Sequence, residues 1–362
     1  MSRRVYLHIG APKTGTTYLQ DRLALNAKAL SDHGVHFPTK SPLVSPGLFQ
    51  FRAALDLLDQ DWGGKAGHAR GSWDALVRRV KRLNGTVVIS HEILAPATPA
   101  KIDRAKQDLA GAELHIVYSA RDLARQLPAA WQESIKQGRK WRFGRFVKKA
   151  ERGQIWFARS FDVPSVLGTW GAHVPPEHIH LVTVPQGPTD GDGLWERFCR
   201  ATGIDPAWGP VESGRSNASL GVVETAVLRQ LNVRLDRQSR REAAYDQLIR
   251  QMLAEQELVR GDSPRIMLRP EDYDWVEERS RQWLEWIEQA GIDVVGDVTD
   301  LLPARPAEDE TWRDPDKVKP RARYRVAMEA LAAMTNEAAA RPDPDNRLTD
   351  RLEKFAERLR SR

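Results

Sequence analysis

"YLHIGAPKTGTTYLQDRL", Tyr6–Leu23, joins a short apolar run to a segment of helical spacing through a turn that carries two glycines. The apolar run, Val5–Ile9, reads as a buried strand. Beyond the turn, Leu19, Leu23 and Leu30 fall along one side of a helix read over Thr16–Leu30. Gly10 and Gly15 let the backbone bend and approach a ligand. N–H groups of a tight turn, together with a helix N terminus, form a cradle for an anion. Strand, glycine-bearing turn and helix in this order are the setting of a phosphate-binding loop.

Working outward, Thr86–Ser90, Leu114–Ser119 and His178–Val184 are also rich in Val, Ile and Leu and read as buried strands. Asp74–Leu83 and Ala120–Gln137 read as helices between them. The alternation predicts an α/β fold with a central parallel sheet flanked by helices, and ligands of such sheets sit at the carboxyl ends of the strands. From Leu220 the pattern turns mostly helical, with stripes at Val223, Val227, Leu231 and Leu235, and at Val276, Ser280, Trp283 and Ile287. Both stripes read as core packing. "GIDVVGDVTDLLP" closes an α/β domain over residues 1–303, mostly helical over 220–303. Residues 304–362 open with a Pro-rich charged linker, and two helices follow, Tyr324–Ala339 and Asn346–Arg360. No internal repeat is evident.

Composition narrows the class. Of 362 residues, 41% are hydrophobic and 29% charged, as in a soluble globular protein. No apolar run approaches the ~20 residues of a membrane span, and Met-Ser-Arg-Arg enters the first strand without a signal-peptide stretch. A single cysteine, Cys199, allows no intrachain disulfide and suits a reducing, cytoplasmic setting. The net charge of +6 favours an anionic partner. Its densest run, "KQGRKWRFGRFVKKAER" at Lys136–Arg152, reads as either a solvated face or a basic rim beside an anion site. No nucleic-acid-binding module is recognisable. Oligomeric state stays open, a homo-oligomer included.

The turn departs from the nucleotide-hydrolase pattern G-x-x-x-x-G-K-[ST] at one place. Gly10, Gly15 and Thr17 fit, but Thr16 stands where the lysine belongs, and Lys13 lies three residues earlier. Pro12-Lys13-Thr14-Gly15-Thr16-Thr17 instead resembles the 5′-phosphosulfate loop of PAPS-dependent sulfotransferases of bacterial type. The resemblance is specific at these six residues and less so elsewhere. It implies PAPS as cosubstrate and no catalytic metal. The bond to be broken is then S–O–P, and a lysine at the bridging oxygen stabilises charge arriving on the departing phosphate.

The same resemblance assigns further residues. Arg121, after the strand in "ELHIVYSARDLARQ", takes the 3′-phosphate, for which a planar guanidinium fork is suited. The competing reading pairs it with Asp122. The family's serine eight residues on is replaced by Ala129, preceded by Pro128, and Ser134, Gln126 and Gln132 are the candidate substitutes. A general base is expected in "VVISHEILAP", where Glu92 is favoured over His91, with Ser90 adjacent and His36 a third candidate. Arg215 and Asn217 in "GRSNASLG" are candidates to cover the nucleotide, and Ser219 to cap the next helix. Trp131, Trp141 and Trp156 are candidates for stacking on a sugar or base, or for the core. Residues Thr39–Ser72 are expected to shape the acceptor pocket, and the acceptor itself is a glycan, a lipid-linked molecule or a small molecule. The rival classes are a P-loop kinase or NTPase, which needs an acidic Mg²⁺ ligand after a strand, and a non-catalytic binding protein of the same fold.

Overall fold

The computed structural model of the chain describes residues 3–341 other than 42, 188–192, 215–218, 242 and 308–309. Six strands pair in parallel: β1 (Arg4–His8), β2 (Val35–His36), β3 (Thr86–Ser90), β4 (Glu113–Ala120), β5 (Ile179–Thr183) and β6 (Asp293–Val295). Their order is β2-β3-β1-β4-β5-β6, so the chain leaves β1 toward one edge and later builds toward the other. That reversal beside β1 is where an α/β sheet offers a crevice at its carboxyl ends.

The apolar strands are explained by burial on both faces. Tyr6, Val88, Val117, Val182 and Val295 share one core with Leu19 and Leu23, and with Trp195, Phe198 and Cys199 of the helix Leu194–Thr202. Val5, Leu7, Val87, Ile89, Ile116 and Leu181 are equally buried on the other face. There Tyr118 Oη donates to the Ser160 carbonyl (2.7 Å), so the hydroxyl that burial brings inside is satisfied.

The helix expected over Thr16–Leu30 is two, Thr16–Leu25 and Ala27–Asp32. Asn26 separates them. Its side chain donates to the carbonyls of Arg22 and Val211 (2.8 Å each) and accepts from Val211 N–H (2.9 Å), holding another segment at the break. The short edge strands β2 and β6 were not legible as strands, having two and three residues.

Two compact units divide the chain differently from a boundary at Pro303. The first comprises Met1–Ser134, Trp141–Ser219 and Ile266–Asp316 and holds the whole sheet. The helix Tyr273–Ala290 buries Val276, Ser280, Trp283 and Ile287 as the spacing predicts, and β6 follows it. The second unit comprises Ile135–Lys140, Leu220–Arg265 and the chain from Lys317. In it the helix Val222–Arg234 packs with Pro320–Ala340. The buried side of Val222–Arg234 is not the Val223, Val227, Leu231 and Leu235 stripe, which is half-exposed, but the side of Thr225, Leu228, Arg229 and Asn232. Val227 and Leu231 instead line a groove of about 540 Å³ with Tyr324 and Leu331. Ser263 Oγ, not Ser219, caps this helix by accepting from Val223 N–H (3.0 Å). The second expected C-terminal helix, Asn346–Arg360, lies outside the described residues. No helix among the described residues is long and apolar enough to cross a membrane.

Leu19 is fully buried between the helix Thr16–Leu25 and the sheet. Leu19→Ala is expected to lower the unfolding free energy by about 2–5 kcal/mol in urea denaturation; a loss below about 1 kcal/mol would contradict this packing.

Candidate functional site

Strand pairing continues into the turn. Ile9 N–H donates to the Val117 carbonyl (2.9 Å), Ser119 N–H to the Gly10 carbonyl (2.6 Å), and Ala11 N–H to the Ser119 carbonyl (2.8 Å). The loop therefore starts as an extension of β1 along β4. Gly10 has φ 135°, and a Cβ there would lie 3.3 Å from Ala95 Cβ and 3.5 Å from Glu92 Cα. The missing side chain is what lets the turn after β3 close on the loop. Gly15, at φ 89°, precedes the helix, and a side chain on it would run into Leu194. Leu19 N–H reaches the Gly15 carbonyl (3.0 Å), and the N–H groups ahead of it lie at the helix N terminus, where they have no intrahelical acceptor.

The turn is closed from two sides. Thr14 Oγ1 donates to the Ala11 carbonyl (2.6 Å), and Gln126 Nε2 donates to the Pro12 carbonyl (2.9 Å). Thr16 is buried and Thr17 exposed at the first helical turn.

Lys13 takes a left-handed backbone, φ 66°, which costs a non-glycine residue on the order of 1 kcal/mol. Its Nζ donates to Glu133 Oε2 at 2.9 Å. Glu133 was not singled out in the sequence. Gln126, Ala129 and Glu133 are spaced three, four and seven apart on the helix Leu123–Lys136, which places them on one face. Gln126 and Glu133 both meet the loop, so Ala129 stands between two residues that reach it. Ser134 is about 140° around the helix from Ala129, and its hydroxyl donates to the Trp131 carbonyl (2.7 Å). Of the expected substitutes for the missing serine, Gln126 is bonded to the loop. Gln132 is buried.

Arg121 follows β4 directly. Its Nη1 donates weakly to the Lys13 carbonyl (3.4 Å), and its buried Nε has no hydrogen-bond acceptor among the described residues. Burial, and then the charge of Arg125, lower its pKa from the usual value. The pairing of Arg121 with Asp122 does not form a hydrogen bond. Asp122 accepts from Arg125 N–H (2.9 Å) and forms a close ion pair with Arg125 Nε, capping the helix that begins at Leu123. This cap is why the helix starts three residues later than Ala120.

The base candidates separate by their partners. Ser90 is buried, with its Oγ held by His8 Nδ1 (2.8 Å) and Gln20 Nε2 (3.2 Å). His91 accepts from Ile93 N–H at Nδ1 (3.3 Å) and packs on Phe51 with ring centroids 5.1 Å apart. Burial lowers its pKa. These contacts give it a capping role in the short turn Glu92–Leu94. Glu92 is half-buried, and its carboxylate makes no hydrogen bond or ion pair among the described residues. His36 belongs to the other end of the sheet: it pairs with Val87, and its Nε2 meets the Asn84 carbonyl (3.1 Å).

The segment Thr39–Ser72 does adjoin this end of β3. Gln50 Oε1 accepts from Ser90 N–H (2.8 Å), and Phe51 lies between His91 and Trp62, edge-on to Trp62 at 5.1 Å. Trp131 is core, with Nε1 donating to the Trp141 carbonyl (2.9 Å). Trp141 lies under Lys149 in a cation–π contact, and Trp156 packs edge-on against Phe157. From the basic run, Arg145, Lys148, Lys149 and Arg152 line a cavity of about 510 Å³ together with Arg269. Arg215 and Asn217 lie outside the described residues.

His8 is a second residue not singled out. It ties three strand ends together, with Nδ1 at 2.8 Å from Ser90 Oγ on β3 and Nε2 at 3.1 Å from Ser119 Oγ on β4. The signal available in the sequence is a histidine inside an apolar strand just before the loop. Complete burial favours the neutral ring and pushes its pKa down to about 4.

No family model matches the chain, and no curated protein or solved structure matches it.

The titration of His8 has a definite sign. Its folded pKa lies below the ~6.5 of an unfolded histidine, so its contribution is full above about pH 6.5 and is lost as pH falls toward 4. The total is on the order of 3 kcal/mol. In urea denaturation at several pH values, His8→Gln is expected to flatten the dependence between about pH 6.5 and 4. An unchanged slope would contradict the assignment.

Proposed function

We propose that the chain is a sulfotransferase that moves a sulfuryl group from PAPS to an acceptor hydroxyl or amine. The observation that carries this reading is a pair of cations held at one loop, with Arg121 Nη1 on the Lys13 carbonyl and no acceptor for Arg121 Nε among the described residues. A buried guanidinium nitrogen without a partner is costly, and an anion bonded to it removes that cost.

Each residue then has a task. The N–H groups at the start of Thr16–Leu25 hold the 5′-phosphate oxygens. Arg121 holds the 3′-phosphate. Lys13 leaves Glu133 for the bridging oxygen, where negative charge collects as the S–O bond to phosphate breaks and the acceptor's bond to sulfur forms. Glu92 receives the proton the acceptor releases, at a carboxylate with no hydrogen-bond or ion-pair partner among the described residues. Phe51 and Trp62, beside His91, form the acceptor's apolar wall, the acceptor being a glycan, a lipid-linked molecule or a small molecule. Against a magnesium-dependent kinase, Thr16 stands where that family's lysine belongs, and Asp122, after β4, is committed to Arg125.

Arg121→Ala is expected to weaken adenosine 3′,5′-bisphosphate by about 2–5 kcal/mol in calorimetric titration, and to leave adenosine 5′-phosphate nearly unaffected. Equal losses for both nucleotides would refute the 3′-phosphate assignment. With ³⁵S-labelled PAPS and a panel of sugar and phenol acceptors, Lys13→Ala is expected to abolish label transfer. Glu92→Gln is expected to slow transfer at unchanged bisphosphate affinity. Undiminished transfer by Lys13→Ala would rule out the mechanism.

A further inference from the structure

The amino ends of the strands, opposite the loop, carry a second cluster of chemistry-bearing residues. Glu113 and His115 lie on β4, His178 just ahead of β5, His180 on β5 and Asp293 on β6. Four of them form a chain of contacts. Glu113 Oε1 is 2.9 Å from His115 Nε2, His115 Nδ1 is 2.8 Å from His180 Nε2, and His180 Nδ1 is 2.6 Å from Asp293 Oδ2.

Counting protons along this chain exposes a shortage. Each of the three contacts needs one hydrogen, because both carboxylates accept and two facing ring nitrogens repel without a proton between them. Two neutral imidazoles supply two. A third proton on one ring, an imidazolium between the two carboxylates, meets the shortage, and so does a cation at His115 Nε2. His115 Nδ1–H then donates to His180 Nε2, His180 Nδ1–H donates to Asp293, and Glu113 turns from hydrogen-bond acceptor to ligand. Both rings stay neutral and every nitrogen is satisfied. A ligating histidine whose other N–H is held by a hydrogen-bonded partner is the usual outer arrangement of metal sites.

A third donor is in place. His178 packs against His115 with ring centroids 4.2 Å apart, and its ring nitrogens make no hydrogen bond among the described residues. One ligand atom each from Glu113, His115 and His178 lie within 4.8 Å of one another. The geometry points to a divalent-cation site of zinc type, with Glu113, His115 and His178 as ligands and His180 and Asp293 as positioning residues. Two imidazoles and one carboxylate are a donor set that zinc accepts, with water completing four-coordination. His178 is half-buried, so that fourth position reaches solvent. Arg4 Nε also donates to Glu113 Oε1 (3.0 Å), and its positive charge opposes a cation. The Arg4 side chain is 45% exposed, so water screens it, and it leaves Glu113 Oε2 for the metal.

The test uses the full chain, stripped with a chelator and titrated with Zn²⁺ by calorimetry and with Co²⁺ by visible absorption. The site is expected to take one equivalent, with intense Co²⁺ bands of low coordination number. His178→Ala and Glu113→Gln are expected to weaken binding more than tenfold, and Asp293→Asn by about 10–100-fold. His173→Ala, on an exposed neighbour, is expected to change nothing. Thermal melts check that the variants fold, and the half-buried position of Glu113 at the start of β4 keeps its variant informative if His178→Ala unfolds. Absence of a stoichiometric site, or binding unaltered in both His178→Ala and Glu113→Gln, would overturn the proposal.

Discussion

Everything at the carboxyl end of the sheet depends on the hydrogen bonds that carry β1 past its last residue and along β4. Ser119 gives its N–H to Gly10 and takes the N–H of Ala11. That ladder step fixes the start of the loop relative to β4. Arg121 lies two residues further on, and its guanidinium arrives at the Lys13 carbonyl. It also brings Gly10 against Glu92, a contact that a Cβ would crowd. Beneath the step, His8 joins Ser90 and Ser119, so the three strand ends that present the site share one buried polar link. A neutral histidine suits that position because one nitrogen donates and the other accepts.

The electrostatics divide into a committed pair and an uncommitted cation. Asp122 and Arg125 neutralise each other while capping a helix. Lys13 is held by Glu133, but the lysine side chain is 34% exposed, against 10% for the carboxylate. Partly solvated pairs of this kind contribute little net stability, so a multivalent anion can draw the lysine away. Arg121 has no carboxylate bonded to it among the described residues. N–H groups at a helix N terminus, one displaceable cation and one cation without a bonded carboxylate among the described residues support the proposed ligand with more than one anionic group.

The sequence made some of this legible and hid the rest, for physical reasons. Long apolar strands and the glycine turn follow from local pattern, and β3 falls at Thr86–Ser90 as read. The edge strands β2 and β6 are too short to generate a pattern. The stripe at Val223, Val227, Leu231 and Leu235 has correct helical spacing but is half-exposed, with Val227 and Leu231 lining a groove, because the buried side of that helix carries Thr225, Arg229 and Asn232. Asn232 donates to the carbonyls of Ile135 (2.7 Å) and Arg139 (2.9 Å), a tertiary bond that no hydrophobic pattern records. Glu133 was not legible for the same reason, since a partner 120 residues away in sequence leaves no local signal. Lys13 was legible through its motif, whereas its left-handed backbone was not.

The central claim is that the displaced lysine marks a bisphosphate site and not a triphosphate site. Calorimetric titration of the unmodified chain with adenosine 3′,5′-bisphosphate, and separately with ATP and Mg²⁺, tests it directly. The account predicts tight bisphosphate binding that a chelator does not alter, and weak ATP binding. Metal-dependent ATP binding without bisphosphate binding would contradict it and turn the loop toward phosphoryl transfer.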